Sequence, residues 1–208
     1  MKRFVTIIIL ALMATAGRAD NLRTLFITMP DSITPTLTKS DRLDFLDYMD
    51  SGMKARVRNK LGGESVMTRF DENMLSIQTS QSGRMDMLLL KRGKDENLIC
   101  IIRTVNAKYE DSRLSFFTED WKSVPADELI ELPRIDDYLT KEALKSDSLD
   151  VFKKKSMLRL QSITPTDGTL EFRYTSLEDF GEDAERYKAW FKPEPLRYTW
   201  NGKLFKRR

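Results

Sequence analysis

The 208-residue sequence contains no histidine and a single cysteine, Cys100. Without histidine the chain has no Ser–His or Cys–His nucleophile and no histidine metal ligand. One cysteine forms no internal disulfide and builds no structural zinc site. Any catalysis would therefore depend on carboxylates, lysine, tyrosine or a metal held by oxygen ligands. Cys100 lies in the apolar run 98–102, which predicts a buried, unreactive side chain in a central strand.

Long apolar runs are also scarce. The run near the N-terminus has the flanking residues that are typical of a secretory signal peptide. A basic start is followed by an apolar run over residues 5–13 and by a small-x-small ending at Gly17 and Ala19. This order predicts a signal peptide over residues 1–19, cleaved after Ala19. The run is too short to cross a bilayer, so a retained anchor is the less favoured alternative. The mature chain is expected to be soluble and exported, with no transmembrane segment.

Neither sign of charge is in excess once that signal is removed. The full chain has 35 Lys and Arg against 32 Asp and Glu, and Lys2, Arg3 and Arg18 lie in the predicted signal. The remainder therefore carries 32 residues of each sign. A neutral chain gives no electrostatic reason to expect nucleic acid as a partner.

The first helix is predicted to begin after Thr38. Thr38 and Asp41 have the spacing of a capping box, with an aspartate where Glu or Gln is usual. Apolar residues then recur at steps of three and four: Leu43, Leu46, Met49, Met53, Val57 and Leu61. This recurrence predicts an amphipathic helix of about five turns whose apolar stripe faces the core. The pair Gly62-Gly63 is expected to end it.

The hydrophobic pattern then changes to a period of two residues, which is typical of strands. Five strands are predicted, at 66–70, 74–79, 84–91, 97–105 and 112–118. Short polar joints separate most of them, and such joints connect antiparallel neighbours, since parallel strands need long crossovers. The segment therefore predicts an antiparallel meander.

The C-terminal part repeats this order of helix and then strands. A helix is predicted from Ile135 through Leu144, with a continuation to Phe152, and a short helix over 182–191. Further strands are predicted at 156–163, 169–175, 196–200 and 203–205. The last two flank Asn201-Gly202, the pair that a two-residue type I′ hairpin turn favours.

This order predicts an α+β protein in which helices pack on antiparallel sheet. After the signal, residues 20–124 form an N-terminal helix-plus-meander half and residues 125–208 a C-terminal helix-plus-hairpins half. One continuous domain is the alternative, because no clear sequence repeat relates the two halves.

Several short stretches carry a family resemblance: Met29-Pro30-Asp31-Ser32, Arg42-Leu43-Asp44, Asp47, Gly62-Gly63-Glu64, Asp111-Ser112-Arg113 and Trp121. On these residues the chain resembles an uncharacterised family of exported Bacteroidetes proteins, a domain of unknown function. The resemblance implies a Gram-negative periplasmic or envelope setting and transfers no activity and no catalytic residue. In architecture alone, the helix-plus-meander halves are also similar to β-lactamase-inhibitor and PepSY-like modules.

Four aspartates at every third position, Asp41, Asp44, Asp47 and Asp50, raise the question of an oxygen-ligated metal site on the first helix. Steps of three drift by about 60° on a helix of 3.6 residues per turn, so the four carboxylates do not converge. Asp50 falls at the edge of the apolar stripe and needs a partner there. The sequence predicts a structural ion pair or hydrogen bond at Asp50. Lys54, one turn further on, is the candidate partner nearest in sequence, and Arg42 also points toward the core side.

Two other patterns have a catalytic and a structural interpretation. Ser51 and Lys54 form an S-x-x-K pattern, but the S-D-N and K-T-G elements that accompany it in penicillin-binding enzymes do not occur. Large aromatic residues accumulate near the C-terminus: Tyr187, Trp190, Phe191, Tyr198, Trp200 and Phe205. They could line a sugar or peptide groove, but a core role is favoured because large aromatics dominate burial.

The sequence thus predicts an exported, non-enzymatic protein that binds a protein or an envelope component. It predicts no catalytic residue, no cofactor and no metal site. The alternatives are a carboxylate enzyme or oxygen-ligated metal site on the first helix and, less favoured, a Ser–Lys hydrolase at Ser51.

Overall fold

A computed structural model describes residues 21–94, 96–155 and 160–208. The predicted signal peptide and the start of the predicted strand 156–163 lie outside the described residues. The fold is α+β, with helices and two antiparallel sheets of seven and four strands. The predicted fold class, with a helix preceding an antiparallel meander, is confirmed.

The seven-stranded sheet follows the order of the chain, β1 to β7. Its strands are β1 (Arg56–Arg58), β2 (Glu64–Phe70), β3 (Met74–Ser80), β4 (Gly83–Arg92), β5 (Glu96–Asn106), β6 (Glu110–Thr118) and β7 (Ser123–Val124). Strands β2 to β6 are the five predicted strands, each longer than predicted by one or two residues in total. The meander is therefore confirmed.

The four-stranded sheet has the order β11-β10-β9-β8. Its strands are β8 (Gln161–Thr166), β9 (Thr169–Tyr174), β10 (Leu196–Trp200) and β11 (Phe205–Arg207). The chain divides into two compact units. The first comprises the residues up to Ile101 together with Phe116–Ser123, and the second comprises Ile102–Ser115 and Val124–Arg208. The predicted halves, 20–124 and 125–208, stay a prediction.

The first full helix of the described chain, α1 (Lys39–Asp50), begins with the predicted capping box. The Thr38 hydroxyl accepts a hydrogen bond from Asp41 N at 3.0 Å, and Thr38 N donates to the Asp41 carboxylate at 2.6 Å. Each side chain thus satisfies a backbone N–H that the helix itself leaves unpaired.

The predicted length of this helix is wrong, because the helix ends at Asp50 rather than at Gly62. Ser51 N still donates to Asp47 O, but Gly52 adopts a positive φ of 65° that turns the chain out of the helix. The residues after this turn form strand β1. At the end of β1, Asn59 holds the turn to β2 by accepting hydrogen bonds from Leu61 N and Gly63 N.

The prediction that the apolar stripe of this helix faces the core is also wrong for most of its residues. Leu43, Met49 and Met53 are 40%, 37% and 54% exposed. The buried residues of α1 are Arg42, Phe45 and Leu46. Leu46 is the one member of the predicted stripe on this buried face. The buried side of the helix is centred nearer to Arg42 than the stripe predicts. Hydrophobicity does not identify an arginine as a buried residue.

The core of the first unit lies between the sheet and the residues that precede it. Residues 21–28 are helical, and their apolar side chains pack with α1 against one face of the sheet. Alternate residues of the central strands supply that face: Met85, Met87, Leu89, Ile99 and Ile101. Cys100, between the last two, is fully buried, as predicted. Burial raises the pKa of its thiol well above the ordinary value.

The predicted second helix is broken into three short pieces: α2 (Ile135–Tyr138), a 3₁₀ turn (Ala143–Lys145) and α3 (Leu149–Lys155). The cause is a distant segment of the chain. Thr140 N donates to Trp190 O, and Lys192 N donates to Tyr138 O, each at 2.8 Å. These bonds hold the chain extended after α2, where a continuous helix would need the same backbone groups.

The predicted short helix over 182–191 is present in part. The chain forms a 3₁₀ helix (Leu177–Asp183) and then α4 (Ala184–Lys188). Within the described residues no helix has both the length and the apolar character needed to cross a membrane.

The C-terminal hairpin is present, but its predicted two-residue turn is wrong. Trp200 pairs with Phe205, which leaves a loop of residues 201–204. The Asn201 side chain accepts hydrogen bonds from Lys203 N and Leu204 N, both at 3.0 Å. An asparagine that bonds the backbone two and three residues ahead stabilises this wider turn.

Candidate functional site

The four aspartates of the first helix do not form a site. Asp41 completes the capping box, and Asp44 and Asp47 are exposed. Asp50 accepts two hydrogen bonds from the Arg23 guanidinium, at 2.6 and 2.9 Å, so the predicted partner, Lys54, is wrong although an ion pair is present. The bond from Arg23 lowers the pKa of Asp50. Within the described ranges no group of three acidic or cysteine side chains is placed to hold a metal ion.

The Ser51 and Lys54 pattern is likewise not assembled into a pair on one helical face. Ser51 caps the C-terminal end of α1, and Lys54 lies beyond it in the segment that leads to β1. Both side chains are exposed. A Ser–Lys nucleophile pair needs the two groups in contact on a rigid element, and here the helix ends before it could supply that geometry.

The C-terminal aromatic residues belong largely to the core, as favoured from the sequence. Tyr187, Tyr198 and Phe205 are buried, and the remaining three are partly buried. Around the fully buried Phe152, the rings of Phe180, Tyr187, Trp190 and Phe191 lie between 5.0 and 6.0 Å away, measured between ring centroids. This cluster fixes α3 in the second unit.

Beside that cluster, the second unit contains a cavity of about 370 Å³. It is formed where α2, α3 and strands β8 and β9 meet, and we refer to it as the Tyr138 cavity. Its lining residues are Pro133, Arg134, Ile135, Asp136, Tyr138, Lys153, Gln161 and Tyr174. This volume falls within the range of ~300–1,000 Å³ that is usual for small-ligand sites.

Two polar pairs are fixed in the lining of this cavity. Lys153 Nζ donates to Asp136 Oδ2 at 2.7 Å. The Tyr138 hydroxyl donates to Gln161 Oε1, also at 2.7 Å. Burial raises the pKa of the Tyr138 hydroxyl, so this group keeps its proton at neutral pH and acts as a donor.

One side-chain oxygen of a lining residue has no hydrogen-bond partner among the described residues. The second carboxylate oxygen of Asp136, Oδ1, is enclosed and has no hydrogen bond to any described residue. A buried acceptor without a donor costs about 1–3 kcal/mol relative to a satisfied one. Because rotation about the last bond of an aspartate side chain is soft, this oxygen can turn toward a donor that enters the cavity.

Aromatic rings hold the apolar wall of the cavity in place. The ring of Tyr174 lies 6.0 Å from that of Tyr138 and 4.8 Å from that of Phe191. Tyr174 is only partly buried, so part of the ring remains available to a ligand. The cavity therefore combines an aromatic wall with two hydrogen-bonded polar pairs.

A second, wider cavity of about 480 Å³ lies in the same unit, between residues 127–132 and strand β11. Two of its charged groups are paired, since the Asp137 carboxylate accepts from the Arg207 guanidinium, and this carboxylate also accepts from Arg134 N. The backbone of its wall is bonded too, since Phe205 N donates to Leu129 O at 2.7 Å. These bonds stabilise the fold of this part of the second unit.

The sequence analysis did not identify any of the polar residues of the Tyr138 cavity as a site. Asp136, Lys153, Gln161 and Tyr174 are 17, 8 and 13 positions apart in sequence, and no motif has that spacing. A local signal is present in the charged and aromatic run Asp136-Asp137-Tyr138 after Pro133.

Comparison with known proteins supports the fold and the predicted family. A solved structure with 27% sequence identity, a domain of an uncharacterised protein from Porphyromonas gingivalis W83, matches with a TM-score of 0.80. The match covers 90% of this chain and 99% of that chain, and its source is a member of the Bacteroidetes. The likeness to β-lactamase-inhibitor and PepSY-like modules is not shown.

No functionally curated protein matches the chain. The model of a family described as protein of unknown function, DUF3256, matches residues 14–205, which is nearly the whole sequence. The chain therefore belongs to the DUF3256 family of proteins of unknown function.

Proposed function

We propose that the protein is an exported, non-enzymatic module that binds a component of the cell envelope in the Tyr138 cavity. The observation that carries this proposal is the combination of an aromatic wall with two oriented polar pairs and an unsatisfied acceptor, Asp136 Oδ1. Concave sites with a few convergent polar groups on an apolar frame are the usual form of ligand sites.

The ionisable residues that line the cavity favour a binding function over a catalytic one. Among its described lining residues Asp136 is the one carboxylate, and Lys153 already pairs with it. Hydrolysis of glycosides by the usual route needs two carboxylates on opposite sides of the bond. The Tyr138 hydroxyl is a poor base or nucleophile because burial raises its pKa.

The N-terminal sequence pattern supports export of the protein. The mass of the protein isolated from its native cells tests this proposal. We expect protein extracted from the envelope fraction to begin at Asp20. The measurement is the intact mass after fractionation. A chain that retains residues 1–19, or that is recovered wholly from the cytoplasm, would contradict the compartment.

Binding in the cavity is tested on the same cells by a photo-crosslinking amino acid placed at Arg134, an exposed residue of the cavity rim. We expect irradiation to join this position to an envelope component. The matched control carries the crosslinker at Glu185, which is exposed and outside the cavity lining. Equal yields of adduct from the two positions, or none from Arg134, would refute the cavity as the binding site.

A further inference from the structure

The charges of the Tyr138 cavity restrict what its ligand can be. Arg134 and Lys153 carry positive charge and Asp136 carries negative charge, so the lining has a net charge of about one positive unit at neutral pH. An ammonium ligand would meet repulsion from the two cations. The donor that satisfies Asp136 Oδ1 should therefore be a neutral group, a hydroxyl or an amide.

The arrangement of donors and acceptors in the cavity favours a ligand hydroxyl over a ligand amide. Asp136 accepts, Lys153 donates, and Gln161 Nε2 donates, because Gln161 Oε1 is occupied by the Tyr138 hydroxyl. A ligand hydroxyl both donates and accepts, so one such group can donate to Asp136 while it accepts from a neighbouring cation or amide. An atom of a peptide group has only one of these roles.

The aromatic wall adds an apolar requirement. The Tyr174 ring is braced by two other rings and is partly exposed. A sugar ring has an apolar face of C–H groups and an edge of hydroxyls, which matches a rigid ring beside polar side chains. The cavity volume of about 370 Å³ suits a short sugar rather than a long chain.

We infer that the Tyr138 cavity binds a neutral carbohydrate, whose ring face packs on Tyr174 and whose hydroxyls bond to Asp136, Lys153 and Gln161. This inference rests on the proposed function and names the chemical class of its ligand. A neutral ligand also makes a prediction about ionic strength, since its affinity does not depend on long-range attraction of charge.

The test is a titration of the full-length mature chain with neutral disaccharides. The probes are di-N-acetylchitobiose, lactose and maltose, detected by ligand-observed NMR and quantified by calorimetry. At least one sugar should bind saturably, with an affinity that changes little between low and high salt. Asp136→Asn should weaken binding at least about tenfold, because a charge-assisted hydrogen bond is lost. Tyr174→Leu should weaken it by a similar factor.

Two controls separate a lost site from a lost fold. Asp150→Asn changes an exposed carboxylate of α3 outside the cavity lining and should bind as the wild type does. Thermal melting of each variant shows whether it is folded. Should Asp136→Asn fail to fold, Tyr174→Leu carries the test, since it keeps an apolar side chain of intermediate size.

The probes also distinguish failure of this inference from failure of the proposed function. One outcome is that a blocked alanine tripeptide binds, that Tyr174→Leu weakens this binding, and that no sugar binds. This result would contradict the inference that the ligand is a carbohydrate, but the proposal that the cavity is a binding site would stand. Sugar binding that survives both substitutions overturns the inference as well. If neither class of probe binds and the crosslinker at Arg134 gives no adduct, the inference and the proposed function are both wrong.

Discussion

Arg42→Met should lower the free energy of unfolding by about 3–5 kcal/mol. The guanidinium of Arg42 is 2% exposed and serves as a donor at the centre of the N-terminal segment. It donates to three backbone carbonyls and one carboxylate: Leu37 O at 3.2 Å, Met29 O at 2.7 Å, Ile27 O at 3.4 Å and Asp31 Oδ1 at 3.0 Å. Methionine is apolar and removes this donor from the three carbonyls, whereas the Asp31 carboxylate keeps its bond from Lys60.

Arg42→Lys should lose most of the same stability, because one ammonium group cannot reproduce the fork of the guanidinium. The matched control is Arg56→Met, which removes an exposed arginine paired with an exposed glutamate and should change stability little. Urea unfolding followed by circular dichroism gives all three values. If Arg42→Met costs less than about 1 kcal/mol, the buried guanidinium does not organise this segment.

Phe152→Ala should destabilise the second unit by about 3–5 kcal/mol. Phe152 is fully buried and is the common neighbour of the rings of Phe180, Tyr187, Trp190 and Phe191. Removal of its ring leaves a cavity that these side chains cannot fill without leaving their positions. The seven-residue helix α3 is too short to be stable alone, so it depends on tertiary contacts, and Phe152 is its fully buried residue in this cluster.

Val151→Ala is the control for this substitution, since Val151 is 52% exposed on the same helix. It should cost much less. Thermal unfolding and near-ultraviolet circular dichroism report on the stability and on the aromatic packing. Melting of Phe152→Ala at the same temperature as Val151→Ala would show that the aromatic cluster is not the core of this unit.

The strands of the meander could be predicted from the sequence because their signals are local. Alternation of apolar and polar residues, broken by short polar joints, is visible within each strand and its neighbours. The capping box at Thr38 is local in the same sense. These elements match the structure to within a few residues.

The errors came from residues whose role depends on distant parts of the chain. Met53 and Val57 continue the helical spacing by coincidence, although the chain leaves the helix at Ser51 and Gly52. Arg42 was recognised as directed toward the core, but the carbonyls that bury it come from residues 27–37. The predicted second helix is interrupted by hydrogen bonds from residues 190–192, which no local pattern reveals.

The candidate site could not be predicted for the same reason. Its polar groups come from two short helices and two strands, and only the fold brings them together. The exclusions drawn from composition were of more use. The lack of histidine already restricts any catalysis to carboxylates, lysine, tyrosine or a metal held by oxygen ligands, and the lining of the Tyr138 cavity includes Asp136, Lys153 and Tyr138.

The central claim is that the Tyr138 cavity is where this protein binds. The most direct measurement is an NMR titration of the isotope-labelled mature chain with soluble glycan and peptide fragments released from the native envelope. We predict shift changes at the backbone amides of residues 134–138 and of Lys153, Gln161 and Tyr174, and their loss in Tyr174→Leu. Spectra that do not change, or changes confined to residues outside the cavity lining, would contradict the claim.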